Sequence, residues 1–316
     1  MKEKVLMIFG PTAVGKTKTS IKIAEKLNGE IISADSMQIY RYMDIGTAKP
    51  TVEEQGGIPH HLLNAVYPDE EFTVADFQEE AKALITDITS RNKLPIVVGG
   101  TGLYFNSLIY NMDFTNTISN WQLRQKLEAE AKSKGNKHLH DKLREIDPAA
   151  AVRIHPNNVK RVIRALEVNY EGGENMGSFK EDISPNDDND FHIIGLNRER
   201  EELYNRINQR VDIMLEQGLV EEVKALLAKG YSTELIAFKG LGYKEIIKYL
   251  KGECSLEEAV EVLKRDTRRY AKRQLTWFKR YDNVSWYNVS NYLSEEKLFN
   301  DILKEVEGHF YFLSNN

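Results

Sequence analysis

The segment Gly10-Pro11-Thr12-Ala13-Val14-Gly15-Lys16-Thr17 fills the pattern G-x-x-x-x-G-K-T directly behind five apolar residues, Val5 to Phe9. This commits the first thirty residues to strand, loop and helix. A glycine-rich turn aims backbone N–H groups at bound oxygens, and the following helix adds its positive end. Lys16 is placed to reach terminal phosphates, and the Thr17 hydroxyl to complete a magnesium shell. An ordinary glycine turn with a surface lysine leaves the full pattern unexplained. Ala13 carries a side chain, so the tight turns are expected at Gly10 and Gly15. Residues 30–33 read as a second strand after Asn28-Gly29, which opens a parallel sheet with its phosphate site at the strand ends.

Residues 72–91 carry a helical apolar rhythm (Phe77, Ala81, Leu84, Ile85, Ile88), and residues 94–98 form a third core strand running into Gly99-Gly100-Thr101-Gly102. From about Trp121 the texture changes to charged amphipathic helices, at 121–133, 137–146 and 159–170, with another starting at Asp147-Pro148. A weak polar tract, 171–190, containing Asp187, Asp188 and Asp190, reads as a flexible exit joint. Phe191 to Leu196 returns the chain to the sheet, and helices follow at 199–217, 219–228, 243–250 and 255–281, the last opened by the capping box Ser255-Leu256-Glu257-Glu258. The expected architecture is α/β: a P-loop kinase-like parallel-sheet core over 1–114 and 189–316, an inserted α-helical domain over 115–188, and a helical C-terminal region.

No run approaches the ~18 apolar residues that span a bilayer. The single cysteine, Cys254, excludes a disulfide framework and a cysteine zinc cluster, and a reducing cytoplasm fits. The net charge of −5 argues against indiscriminate nucleic-acid binding, yet the charge is segregated. Between Lys264 and Arg280 lie eight basic residues and one acid, Asp266. Lys264, Arg268 and Lys272 recur every fourth residue, as do Arg265, Arg269 and Arg273, which predicts one wide basic face. Many phosphates, rather than one, suit such a face, and a solvated helix surface is the plainer reading. Lys160, Arg161 and Arg164 form a smaller cluster in the insertion.

After the second strand comes Asp35-Ser36-Met37-Gln38, then Gly46-Thr47-Ala48-Lys49-Pro50. A carboxylate at this strand end faces the phosphate crevice. Two roles suit Asp35, holding magnesium through water or accepting a proton from a nucleophile, and a helix-capping aspartate is the third reading. Lys49 either touches phosphate or points to water. Thr101 falls at the mouth of the same crevice. His60 and His61, adjacent on an extended chain, face opposite ways and make a poor metal pair.

These blocks together resemble the tRNA dimethylallyltransferases, also called tRNA isopentenylpyrophosphate transferases: GPTAVGKT (10–17), DSMQIYRYMDIGTAKP (35–50), VVGGTGLY (97–104), RVIRALE (161–167), RINQRVDIMLEQGLVEEV (206–223), GLGYKE (240–245) and RRYAKRQLTWFKR (268–280). The resemblance implies that the loop Gly10, Pro11, Thr12, Ala13, Val14, Gly15, Lys16 and Thr17 binds the diphosphate of dimethylallyl diphosphate. The prenyl group would pass to N6 of adenosine 37, immediately 3′ of the anticodon, with the anticodon stem-loop held between core and insertion. It further implies Asp35 as catalytic base, Thr101 as a channel residue and Arg210 as a diphosphate contact. Mg2+ would sit at Thr17. Ser36, Met37 and Gln38 would surround the target base, while Lys239, Gly240, Lys244, Arg268, Arg269, Lys272 and Arg273 would meet RNA. A cytoplasmic monomer of compact bacterial type, without a zinc-finger extension, is expected. The stretch 169–176 departs from the family pattern. A nucleotide or small-molecule kinase shares the loop and Asp35 but leaves the basic helix without a task; a nucleotide-gated RNA-binding protein predicts no change in RNA mass.

Overall fold

The computed structural model describes residues 2–112, 120–171 and 184–312. β1 (Glu3–Phe9) has residues 5–9 fully buried, as a central strand covered on both faces requires. The phosphate loop leads into α1 (Lys16–Lys26), whose Ile23 and Ala24 join the core beside Ile31 and Ile96. Asn28, at φ 51°, turns the chain into β2 (Gly29–Ala34). A two-residue edge strand follows, β3 (His60–His61). α2 (Val74–Ser90) opens on a reciprocal cap between Thr73 and Asp76 and buries Phe77, Ala81, Ile85 and Ile88. β4 (Leu94–Gly99) and α3 (Gly102–Ile109) close the first half of the core.

Residues 110–185 form a separate compact unit. It contains α4 (Trp121–Lys134), α5 (Asn136–Ile146), α6 (Pro148–Arg153) and α7 (Val159–Tyr170). Leu127, Leu139, Leu143, Val162 and Leu166 make its core. Glu167 is fully buried there. Its carboxylate accepts from Arg124 Nε (2.8 Å), the Asn120 amide (2.7 Å) and Arg164 Nη1. Burial pushes Glu167 up, and these three donors outweigh it and hold the carboxyl below its ordinary range. The expected boundary at 115 and most of the polar joint expected over 171–190 lie outside the described residues, as does much of the divergent stretch 169–176.

The core resumes with β5 (Asn189–Asn197), α8 (Arg200–Glu216), α9 (Leu219–Ala228), α10 (Tyr243–Leu250), α11 (Leu256–Phe278), β6 (Val284–Asn288) and α12 (Glu295–Phe312). The Ser255–Glu258 capping box forms as its sequence predicts. The sheet is parallel throughout in the order β3-β2-β4-β1-β5-β6. Its fold class is the expected parallel α/β core with a helical insertion and C-terminal helices. No helix among the described residues is long and apolar enough to cross a membrane.

His60 and His61 serve the sheet edge. His60 Nδ1 donates to the Ile58 carbonyl at 2.8 Å, and His61 Nε2 lies 2.8 Å from Glu30 Oε2. Glu30, buried on β2, also accepts from Arg91 (2.5 and 2.9 Å) and Lys93 (2.7 Å). The Arg91 bonds, chiefly, hold its carboxyl far below the ordinary range.

Candidate active site

Register brings the motifs together. Phe9 pairs with Gly99, and Gly99 with Ala34, so β1, β4 and β2 end level. The next residues, Gly10, Gly100 and Asp35, therefore emerge side by side at the carboxyl edge, where parallel sheets bind ligands.

The loop is held from several directions. A Cβ on Gly10 would meet the Leu196 carbonyl oxygen at 2.5 Å, so only glycine fits there. Gly15, at φ 116°, makes the turn into α1. The expectation that Ala13 stays out of the turn is wrong: it sits at φ 63°, in the left-handed region. Its carbonyl accepts from Arg206 Nε at 2.9 Å, and the next carbonyl, Val14, from Arg198 Nε at 3.0 Å. Two arginines from distant sequence thus brace a conformation that alanine alone disfavours. The Lys16 ammonium donates to the Gly10 (3.0 Å) and Pro11 (2.9 Å) carbonyls. Burial pushes its pKa down to about 8, with Arg210 adding to the effect and Asp35 opposing it.

A cavity of about 390 Å³ lies beside the loop. Thr12, Ala13, Lys16 and Thr17 line one part of it, Asp35 to Gln38 another, and Arg210 with Ile207, Val211 and Met214 of α8 a third. The spacing 207, 210, 211, 214 puts these four on one helix face, apolar except for the guanidinium. Asp35 Oδ1 accepts from the Met37 amide at 2.9 Å, which fixes the turn. Thr101 stands against the cavity-lining Ser36. Its hydroxyl oxygen accepts the Ser36 amide at 3.0 Å and lies 3.3 Å from the Ser36 hydroxyl, which holds the turn after Asp35. Gln38 Nε2 donates to the carbonyls of Thr47 (3.2 Å) and Ala48 (3.3 Å), and Arg210 Nη2 donates to the same Ala48 carbonyl (3.1 Å). Lys239, Gly240 and Lys244 line the cavity too, and a Cβ on Gly240 would meet Met37 Cε at 2.5 Å.

Neither reading of Lys49 holds. Only 9% exposed, it donates to Tyr40 O (2.7 Å), Asp44 Oδ1 (2.6 Å) and Asn64 Oδ1 (2.6 Å), an internal clamp on the 44–49 loop. The other clamp is Glu222, which sequence reasoning passed over. Its carboxylate accepts from the amides of Asp44 (2.9 Å), Ile45 (2.7 Å) and Gly46 (3.1 Å), and from the Tyr243 hydroxyl (2.6 Å). Four donors on one carboxylate cannot be satisfied by an amide. Glu222→Gln is expected to cost about 2 kcal/mol in denaturant unfolding and to expose the amides of residues 44–46 to fast hydrogen exchange. Unchanged protection at these amides would mean that the loop holds its shape without this residue.

The basic run on α11 does not form the single face its periodicity predicts. Arg268 Nη1 donates to Asn208 Oδ1 at 2.6 Å, and Lys264 pairs with Asp212 at 2.6 Å, so both are turned to α8. Arg265 and Arg269 share Asp266 at 2.9 and 3.4 Å. Arg273 lines the cavity, its guanidinium 5.7 Å from the Tyr270 ring, and Lys272 is exposed. In the insertion Lys160 and Arg161 are exposed, whereas Arg164 is committed to Glu167. Beside Arg273, the cavity face of α11 carries Leu263, Thr267, Tyr270 and Gln274 at helical spacing. Gln274 accepts the Thr12 amide at 2.9 Å and donates to Gly100 O at 2.9 Å, tying the phosphate loop to the strand β4 exit. Continuing the Leu263–Tyr270 stripe by one turn is the signal that points to it.

The family profile described as IPP transferase matches residues 38–281. The tRNA dimethylallyltransferase of Alkaliphilus oremlandii is 66% identical over 310 residues, covering 98% of this chain and 99% of that one. The crystal structure of the full-length tRNA isopentenylpyrophosphate transferase from Bacillus halodurans matches with a TM-score of 0.75 at 48% identity, over 99% of both chains. A eukaryotic dimethylallyltransferase acting on tRNA matches with a TM-score of 0.81 at 32% identity, over 99% of this chain and 80% of that one.

Proposed function

The chain belongs to the IPP transferase family of tRNA dimethylallyltransferases, and from that premise we propose how its cavity carries out the transfer. It is a prenyltransferase that moves the dimethylallyl group onto a tRNA adenosine. The acceptor atom is N6 of adenosine 37, 3′ of the anticodon, the donor is dimethylallyl diphosphate, and the products are N6-dimethylallyladenosine and diphosphate. The enzyme acts as a cytoplasmic monomer. One observation carries this reading: the phosphate-loop residues, the Asp35–Gln38 turn and Arg210 line the same cavity.

The chemistry follows from the charges. The bond from the allylic carbon to diphosphate oxygen breaks as the C–N6 bond forms. The exocyclic amine of adenine is a poor nucleophile, because its lone pair is delocalised into the ring. Asp35 orients that amine and takes its proton. The diphosphate draws the Lys16 ammonium away from the Gly10 and Pro11 carbonyls, and Lys16, Arg210 and the loop amides stabilise the departing charge. Ile207, Val211 and Met214 offer the five-carbon chain an apolar wall. An unstacked adenosine enters beside Gln38, with Ser36 and Met37 around it.

Thr17 and Asp35 both line the cavity, and no group of three His, Cys, Asp or Glu among the described residues forms a metal cage. That donor set suits Mg2+, which takes one or two protein ligands and substrate phosphates. Thr17 would hold it, and it would supply neutralising charge to the leaving group. Lys239, Lys244, Arg269, Lys272 and Arg273 from the core unit, and Lys160 and Arg161 from the insertion, contact RNA phosphates. Arg164 and Arg268 position these surfaces through Glu167 and Asn208.

Mass spectrometry of tRNA after incubation with dimethylallyl diphosphate tests the reading. Gain of a C5H8 unit on one adenosine is expected. RNA of unchanged mass would overturn it.

A further inference from the structure

Tyr42 is difficult to explain by folding alone. Its φ is 67°, a left-handed conformation that bulky residues adopt rarely and at a cost. Glycine would satisfy this turn without strain. The ring is no part of the core either, for the residue is 44% exposed. Beside it, across a centroid distance of 5.9 Å, stands Tyr67, 36% exposed.

Each ring carries a cation. The Arg41 guanidinium lies 4.6 Å from the Tyr67 centroid, and the Lys229 ammonium lies 4.9 Å from that of Tyr42. Arg41 is fixed there by Nε on Asn64 O (2.9 Å) and Nη1 on the Tyr67 hydroxyl (3.0 Å). The acids of the same loop, Asp69 and Glu70, bear on Tyr231, and Glu70 accepts the Tyr67 amide at 2.5 Å. The groups of the cluster that attract phosphate are the two cations over the rings, Arg41 and Lys229.

The cluster is continuous with the cavity wall. Gln38, which lines the cavity, accepts the Asn64 amide through its carbonyl (3.3 Å); Ile39 accepts from Val66 (3.2 Å), and Arg41 donates to Val66 (2.8 Å). Tyr42 is four residues beyond Gln38, at most about 14 Å of chain. Exposed rings flanked by cations are how proteins hold unpaired RNA bases, with ring on base and cation on phosphate.

We propose that Tyr42 and Tyr67 form a stacking platform for an unpaired base of the RNA substrate, a nucleotide flanking the one that enters the cavity, with Arg41 and Lys229 taking its phosphates. This rests on the reading of the chain as a tRNA-modifying enzyme and adds a recognition surface outside the reacting centre.

Tyr42→Gly is the incisive variant, because it removes the ring and relieves the backbone together. Its thermal midpoint is expected to match or exceed that of the parent, while affinity for an anticodon stem-loop oligonucleotide falls about tenfold. Affinity for a duplex RNA without unpaired bases is expected to stay unchanged. Stacking itself is read from stem-loops carrying 2-aminopurine at each loop position in turn. At one position next to the target, fluorescence should be quenched on binding to the parent and not to Tyr42→Gly or Tyr67→Ala. Equal quenching and affinity for parent and variants, with prenylation intact, would overturn the platform alone. A parent that neither binds nor prenylates the stem-loop would overturn the underlying reading with it.

Discussion

Replacing Asp35 with asparagine is expected to slow single-turnover prenyl transfer by about 10²–10⁴, with tRNA affinity held within a few-fold. Asparagine is the right probe because Asp35 has two jobs. Its Oδ1 accepts the Met37 amide at 2.9 Å, and an asparagine oxygen can keep that bond and the turn with it. What asparagine cannot do is take a proton from N6. Asp35→Ala loses both functions and confounds them. The rate should be measured well below pH 8, because the Asp35 charge also supports the Lys16 ammonium, which burial and Arg210 push down to about 8. At low pH the lysine stays charged in both proteins, and the difference isolates proton transfer. A variant that prenylates at near the parental rate would remove Asp35 from the role of base.

The parts of this site that were legible in the sequence are those set by short covalent spacing. The run 10–17 dictates strand, loop and helix because its glycines, lysine and threonine act on one ligand within a single turn. Ser255 and Glu258 close a cap three residues apart, and Phe191 to Leu196 declares itself a buried strand by its apolar run. The parts that escaped depend on partners far along the chain. Glu222 grips amides 176 to 178 residues away, and Gln274 meets Thr12 across 262 residues. No local pattern distinguishes Glu222 from a surface polar residue, and Gln274 shows only as one more turn of the Leu263–Tyr270 stripe. The basic helix misleads for the same reason. Its cations recur at helical spacing, yet Asn208 and Asp212 of α8 turn Arg268 and Lys264 inward. Lys49 meets neither phosphate nor water, because oxygens of Tyr40, Asp44 and the distant Asn64 hold its ammonium. β3 is too short for periodicity to register, and its pairing is decided by the sheet edge it meets.

Lys16→Ala is expected to weaken dimethylallyl diphosphate binding and to slow single-turnover transfer by a further 10²–10³, about what loss of one preorganised donor to a developing oxyanion costs. The structure ties this loss to pH. The Lys16 ammonium is pushed from its ordinary 10.5 down to about 8, chiefly by burial. Folded enzyme therefore begins to lose this proton near pH 8, and its donor affinity is expected to fall as pH rises through that value. Diphosphate stabilises the ammonium, so binding at about pH 9 should take up a proton; calorimetry in buffers of different ionisation enthalpy reads that uptake directly. Stability runs the other way. Between about 8 and 10.5 the unfolded chain holds a proton here that the folded chain has released, so the Lys16 contribution to stability improves as pH rises, and alanine abolishes that dependence. The variant should be at least as stable as the parent near neutrality, since it removes a buried cation that Arg210 repels. A loss of donor affinity without loss of stability places Lys16 on the diphosphate. Intact donor binding with the same proton uptake in Lys16→Ala would assign both to another group.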